Sequence, residues 1–485
     1  MEYLIHGYEP QAFFHYFEEI SAIPRGSGNE DAICDYLEAF ASRNGIFCYR
    51  DAYKNVFMKV PATPGMEDRP GILLQGHTDM VCEKESDVSH DFLKDPLSLE
   101  VRDGWLWAKG TTLGGDDGFA VATMLAVLTD PDLPHPALEC LFTSEEEVGM
   151  SGANHFDYSM IASEKLINLD SEDEGIATVS CAGGARTVVH LPYDRLKFPV
   201  GGKLIRVTVS GLAGGHSGME IGEQRTPANY ALARMLSAVY ADHPMNLVTI
   251  SGGSKDNAIS RECEAVFYTV EPERALTVIR EWEKKIRAEL RAADRGFRVK
   301  TGKPAKSGYS GMLSFADTSR ILSAILLLPS GVITRCPSDP SLVETSSSLG
   351  VVADTGSEIR LISLARSSSE SRMDDLLDRF ARLSRLAGGT VSVHNRYPGW
   401  EWNKKSKLQG QFLSSCKKIY GAEFKPSVIS IHAGLECGQI VSSVSHPLDA
   451  ISIGPRLVDI HTPGEHMELA SCERLYRLVS ELIKG

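Results

Sequence analysis

Over about its first 190 residues the chain alternates amphipathic stretches with short, nearly unbroken apolar runs. Gln11 to Glu19 and Glu30 to Asn44 carry apolar residues at helical spacing, which predicts two amphipathic helices. Gly71–Gln75, Ala137–Phe142 and Lys165–Leu169 are apolar throughout or nearly so, which predicts buried strands. Helices set between such strands imply parallel pairing in an α/β domain. Gly118 to Leu128 reads as an apolar helix directly after Asp116 and Asp117. The helix dipole favours acids at that end, so one of the two has a purely local explanation.

From about Gly201 the pattern changes. Lys203–Ser210 alternates as a strand, and Ala228 to Tyr240, Ala275 to Ala293 and Met373 to Leu386 are helical. Val351 to Leu361 has the form of strand, turn and strand. This mixture predicts an α+β domain inserted between residues 187 and 392. After Tyr397-Pro398-Gly399-Trp400 the first pattern returns, with the apolar run Ala450–Gly454 leading towards His461. The expected division is therefore residues 1–186 and 393–485 as a catalytic α/β domain, with 187–392 inserted as a lid. A length of 485 residues agrees with two domains, since one core stops growing at roughly 250–300 residues.

Composition narrows the partners. A net charge of −14 argues against nucleic acid or an anionic membrane surface as the main partner. There is no uninterrupted apolar stretch near the ~18 residues of a membrane span, and the N-terminus does not read as a secretory signal. Ten cysteines are scattered without a CxxC pair, which reads as free thiols in a reducing cytosol rather than structural zinc or disulfides. Gly114-Gly115 and Gly183-Gly184 form neither a phosphate-binding loop nor a dinucleotide fingerprint.

The candidate chemistry sits at the ends of the apolar runs. His77-Thr78-Asp79 follows the first, Ser144 to Gly149 with Glu146 and Glu147 follows the second, and Asp170 follows the third. Asp116 lies in the Gly-rich loop before a helix, and His461 follows the returning strand. Ligands of open α/β sheets gather beyond the carboxyl ends of the strands. Two imidazoles and three carboxylates exceed what one tetrahedral ion takes. They suit two divalent ions sharing a bridging carboxylate, with Zn, Mn or Co favoured by nitrogen and oxygen donors. Two adjacent glutamates on one strand or helix are not expected to face the same ion. One would ligate while the other serves as general base towards a water between the ions. Taken singly, each acid run reads as a solvated face and each histidine as an ordinary loop or core residue; the recurrence at strand ends carries the argument.

Gly76–Val81, Gly110–Gly118, Glu146–Met150 and Asn168–Glu172 together resemble the co-catalytic zinc peptidases related to carboxypeptidase and aminoacylase. Cys181–Gly184, Gly214–Gly218, Asn257–Ile259, Tyr397–Trp400, Ile431–Gly438 and Ser452–Pro455 resemble the aminoacyl-histidine dipeptidase branch of that family. The resemblance spans nearly the whole chain. It implies a catalytic domain with a mixed, mainly parallel sheet flanked by helices, plus an α+β lid. It also implies that His77, Asp116 and Asp170 hold one ion and Asp116, Glu147 and His461 the other. By the same resemblance Asp79 tunes His77, and Glu146 is the base. His216 supports the oxyanion, in some members across a dimer interface, and Asn257, Arg366 and the Gly434 N–H receive the substrate's free carboxylate. Asp117 departs from the pattern, standing where the family commonly has Asn and adding negative charge beside the ions.

The expected function is a cytoplasmic, homodimeric metallopeptidase that hydrolyses Xaa-His and other unblocked dipeptides. It would act without nucleic acid or membrane partners. N-acyl amino acid deacylation or tripeptide cleavage would use the same centre. A metal-stabilised scaffold without catalysis is the reading from a different class.

Overall fold

The computed structural model describes residues 3–304, 308–337 and 339–485. The chain divides into two compact units.

The first unit comprises Met1–Cys181, Trp400–Ser430 and Leu435–Gly485. Its main sheet runs in the order Phe47–Arg50, Val56–Val60, Leu138–Thr143, Ile72–His77, Lys165–Asn168, Asp449–Ser452, Ile176–Cys181 and Ser427–Ile431. The four central strands, from Leu138–Thr143 to Asp449–Ser452, pair in parallel. Ile72–His77 and Leu138–Thr143 are buried at every position, as covering a parallel sheet on both faces requires. That is why these strands read as continuous apolar runs instead of alternating ones.

Helices Gln11–Ser21 and Asp31–Asn44 form where helical spacing placed them. Phe13, Phe14 and Phe17 of the first join Phe119, Phe142, Phe412 and Leu475 in one buried cluster. The helix Gly115–Thr129 begins three residues earlier than its apolar pattern and is buried along most of its length. It lies so close to Ile72–His77 that a side chain at Gly76 would collide with the Ala120 methyl and the Asp117 carboxylate. Overpacking of this kind costs typically about 1–3 kcal/mol. Gly76→Ala is therefore expected to lower stability by that amount, read as the urea midpoint of the purified protein; an unchanged midpoint would contradict this packing.

The second unit comprises Ala182–Gly399 with Ile431–Gly434. It starts before residue 187 and ends after 392 because Gly183–Pro192 and Thr390–Tyr397 are full members of its sheet. The sheet is antiparallel, in the order Arg298–Gly302, Lys203–Ser210, Cys263–Thr269, Met245–Gly252, Asp339–Asp354, Glu358–Ser367, Gly183–Pro192 and Thr390–Tyr397. Four helices, Ala228–Asp242, Pro272–Glu289, Phe315–Leu327 and Glu370–Leu386, contribute to its core. The helix expected to reach Ala293 stops at Glu289, and a short separate turn, Ala292–Gly296, follows.

Among the described residues, no helix is long and apolar enough to cross a membrane. Cys34, Cys48, Cys82, Cys140, Cys181, Cys263, Cys416, Cys437 and Cys472 are free thiols.

Candidate metal centre and carboxylate receptor

His77 is the last residue of its strand and is buried. The turn after Gly114 sends Asp116 towards it, leaving His77 Nε2 3.0 Å from Asp116 Oδ1 and 3.8 Å from Asp170 Oδ1. Asp170 lies just past the neighbouring parallel strand Lys165–Asn168. The other oxygen of Asp116, Oδ2, is 3.0 Å from Nε2 of His461, which is also 3.0 Å from Glu147 Oε1. Asp116 thus faces a different histidine with each oxygen. His77 with Asp116 and Asp170, and Asp116 with Glu147 and His461, each offer ligand atoms within 4.8 Å of one another.

A third such group is His77, Glu146 and Glu147. The expectation that adjacent glutamates do not face one ion applies to a strand or helix, and these two stand on neither. They lie in a loop, and Glu145 before them has φ 51°. That turn lets both carboxylates face the same space. His461 also adopts the left-handed region, at φ 61°, a conformation that costs energy and tends to be retained at functional sites. His466 is not part of the cluster; its ring stacks on Trp107 at 3.9 Å.

Asp79 is buried behind His77. Its Oδ1 lies 3.3 Å from His77 Nδ1. Its oxygens accept the Ser27 hydroxyl at 2.7 Å and the Glu146 and Glu147 N–H groups at 3.1 and 3.3 Å. Burial alone would raise this carboxyl, yet its bonds to His77, Ser27 and Glu146 bring it below the ordinary range. It can therefore orient His77 as an anion while fixing the loop that carries both glutamates.

Asp117 turns away from the cluster. Its Oδ2 accepts the His77 N–H at 3.0 Å, and burial pushes its carboxyl well up. The extra acid sits beneath the strand as a backbone partner, outside the three ligand groups.

The donor set fits divalent ions. Two donors each about 2.0–2.1 Å from one tetrahedral ion lie about 3.3 Å apart, close to the 3.0 Å and 3.8 Å separations found here. The charge balance agrees. Burial raises Glu146 to about 8 against the pull of His77, with Glu436, Glu147 and Asp116 adding to the rise. Asp170 is likewise raised by burial and by Asp117 and Asp116. Carboxylates crowded in this way call for cations beside them.

The second unit holds a different constellation. His216 pairs with Ala258 across a short ladder, which brings Asn257 into the adjoining turn; its carbonyl accepts the Ser217 N–H at 2.9 Å. The Met219 N–H donates to His216 Nδ1 at 3.0 Å, so in the neutral ring the proton sits on Nε2. Burial and the nearby Arg366 charge lower the His216 pKa, which keeps the ring neutral. Nε2 lies 3.5 Å from Arg366 Nη2. Two donors that cannot bond each other are thereby aimed together, an arrangement that receives an anionic oxygen. Arg366 is 5% exposed and also donates to the Tyr397 hydroxyl at 3.3 Å. Gly434 packs against the Tyr397 ring, where a Cβ would approach within 2.8 Å.

Several residues of these sites carry no clear signal in the sequence. His432, with Nε2 2.7 Å from the Ser346 hydroxyl, is held neutral by burial and then by Arg366 and His216, with a pKa of about 3. Glu436 is buried and accepts from Gln75 at 2.5 Å and Thr143 at 2.7 Å. Arg25 and Glu465 are buried charges near the Asp116 turn. His432 and Glu436 fall within the Ile431–Gly438 stretch already singled out and Glu465 stands four residues after His461, whereas Arg25 has no such neighbour.

Histidines and carboxylates converging at the ends of parallel strands, on an α/β frame, define a metallohydrolase centre. Residues 73–485 match the model of peptidase family M20/M25/M40, and the chain belongs to that family. It is 33% identical over 478 residues to a cytosol non-specific dipeptidase of Escherichia coli (strain K12), covering 98% of this chain and 97% of that protein. Its structure resembles that of an aminoacylhistidine dipeptidase from Vibrio alginolyticus, with a TM-score of 0.89 and 32% identity over 98% of this chain and 97% of the other. A tripeptidase from Staphylococcus aureus shares the fold at a TM-score of 0.56 and 16% identity, over 98% of each chain.

Proposed function

We propose that this protein is a metal-dependent dipeptidase acting on unblocked dipeptides, Xaa-His among them. The observation that carries the reading is Asp116, whose two oxygens each lie 3.0 Å from a different histidine. By this reading His77, Asp116 and Asp170 hold one divalent ion and Asp116, Glu147 and His461 the other. Zn suits the nitrogen and oxygen donors, with Mn or Co as alternatives. When bound, two such ions would supply Lewis-acid chemistry, polarising a carbonyl and lowering the pKa of a water.

The chain's own groups do the rest. Glu146 takes the proton from the water and returns it to the leaving amine nitrogen. Asp79 holds His77 in orientation. In the second unit, His216 donates through Nε2–H to the oxyanion, while Arg366, Asn257 and the Gly434 N–H receive the substrate's free carboxylate. The names of the two relatives nearly as long as this chain, a non-specific dipeptidase and an aminoacylhistidine dipeptidase, support this substrate class. A cytosolic homodimer belongs to the same reading; sedimentation showing only active monomer would remove the dimer.

A hydrogen bond to a charged group contributes about 1.5–3 kcal/mol. Arg366→Lys loses the planar fork that matches a carboxylate. It is expected to lower kcat/KM for dipeptides by roughly 10–100-fold, with a smaller loss on the corresponding C-terminal amides. Equal losses on acids and amides would contradict the carboxylate role.

The substrate class is tested with a panel of unblocked dipeptides, β-alanyl-histidine, a tripeptide and an N-acetyl amino acid. Cleavage of unblocked dipeptides is expected, with the Xaa-His member among the good substrates. Cleavage confined to the acylated compound would make the protein a deacylase. Cleavage confined to the tripeptide would make it a tripeptidase.

A further inference from the structure

We propose that Arg25 and Glu465 form a buried brace that sets the Asp116 carboxylate between His77 and His461, a positioning role that rests on reading Asp116 as the shared ligand. Arg25 follows the first helix in a Gly- and Ser-rich turn and is 1% exposed. Its guanidinium keeps its charge under all ordinary conditions, and burying it is costly unless partners surround it. Here Nη1 donates to the carbonyls of Thr78 at 3.0 Å and Asp79 at 3.1 Å, and Nη2 donates to the carbonyl of Gly114. Thr78 and Asp79 directly follow His77; Gly114 precedes Asp116 by two residues. One rigid planar group therefore fixes the spacing between the two segments that carry these ligands. Two glycines leave room for it: a Cβ on Gly114 or Gly118 would come within 2.6 or 2.7 Å of Arg25 Nη2.

Glu465 completes the brace from the other histidine's side. It is 2% exposed and lies four residues after His461. Its Oε2 accepts the N–H groups of Leu113 at 2.8 Å and Gly114 at 3.0 Å, and its Oε1 accepts the N–H of Asp116 itself at 3.2 Å. The loop bearing His461 is thus tied to the backbone of the residue that both histidines face. Just beyond Glu465, the strand His466–Glu468 pairs with Trp105–Ala108 and His466 stacks on Trp107, so the far side of the carboxylate is anchored too. Metal sites depend on such outer partners for ligand orientation.

A simpler role for Glu465 is capping of the helix Gly115–Thr129, whose N-terminus favours an acid. The two roles differ in what they move. A cap alone lowers the melting temperature and leaves ion binding as it was. A brace changes the ion site itself.

The test uses chelated full-length protein, wild type and Glu465→Gln, titrated with Co²⁺ and followed by its visible absorption bands. Turnover of an unblocked dipeptide is measured in parallel. Glu465→Gln keeps the shape of the side chain but sets an amide donor against backbone N–H groups. The expected results are Co²⁺ affinity weakened about 10–100-fold, shifted visible bands, and a lower kcat with KM within about twofold of wild type. Arg25→Lys, which keeps the charge but cannot reach three carbonyls, should move the same readouts in the same direction, and it carries the test should Glu465→Gln not fold. Co²⁺ affinity and bands unchanged in a folded variant would overturn the brace. Wild-type protein that binds Co²⁺ but cleaves no dipeptide would overturn the proposed substrate, while the ion titration would still decide the brace.

Discussion

Glu146→Gln is expected to lower kcat for an unblocked dipeptide by about 10²–10⁴-fold, the range that a positioned acid–base group contributes. KM and the content of bound divalent ion should stay near wild type. Glu146 and Glu147 stand in one loop and face the same space as His77, yet their surroundings differ. Glu147 lies 3.0 Å from His461, a partner that also faces Asp116. Among the described residues Glu146 makes no such 3.0 Å contact with a histidine. On the proposed reading that contact marks Glu147 as the ligand and leaves Glu146 for proton transfer. Replacing the carboxylate by an amide of the same shape removes the proton acceptor and little else. The check is steady-state kinetics on protein whose folding and bound ions have been measured. A kcat within about threefold of wild type, with both ions present, would end the assignment of Glu146 as base.

Asp116→Ala is expected to abolish activity to the limit of detection, a loss of roughly a thousandfold or more. That corresponds to the several kcal/mol of charge stabilisation that bound ions supply. The same change should erase ion-dependent stabilisation. A ligand at about 100 times its Kd raises stability by about 2.7 kcal/mol, so wild-type protein should melt at a higher temperature with Zn²⁺ than with chelator. In the variant the two melting curves should nearly coincide, because one side chain serves both histidines. Replacing a residue that held only one ion would leave part of the shift. An Asp116→Ala protein with an undiminished Zn²⁺ shift would mean that the shared carboxylate lies elsewhere.

How much of this could be read from the sequence depended on how each residue reaches its place. His77 and Asp170 were legible because parallel strands buried on both faces leave continuous apolar runs, and the ends of such runs show where side chains gather; Asp116 was legible as an acid in a Gly-rich loop just ahead of an apolar helix. The glutamates were legible as a pair but not in their orientation, since Glu145 adopts a left-handed turn that nothing in a Glu-Glu-Glu run announces. The insertion was legible as a change of period. Its inclusion of Ile431–Gly434 was not, because four residues carry no period. Arg366 and His216 come together through the long-range register of an antiparallel sheet, in which Arg366 pairs with Ser346 and Gly184; only the resemblance to a known family singled them out. Arg25 and Glu465 are charged residues in loops, where the usual reading is a solvated surface. Their burial depends on three carbonyls and three N–H groups that become available only once the chain has folded.

On the proposed mechanism, peptide hydrolysis requires two divalent ions held by the Asp116 cluster. The most direct measurement is to strip the protein with chelator and follow hydrolysis of an unblocked dipeptide as Zn²⁺, Mn²⁺ or Co²⁺ is added back in measured equivalents. Activity should be lost on stripping and should recover to a plateau at two equivalents of at least one of these ions. Full activity in the stripped protein, or no recovery with any of the three, would contradict that requirement.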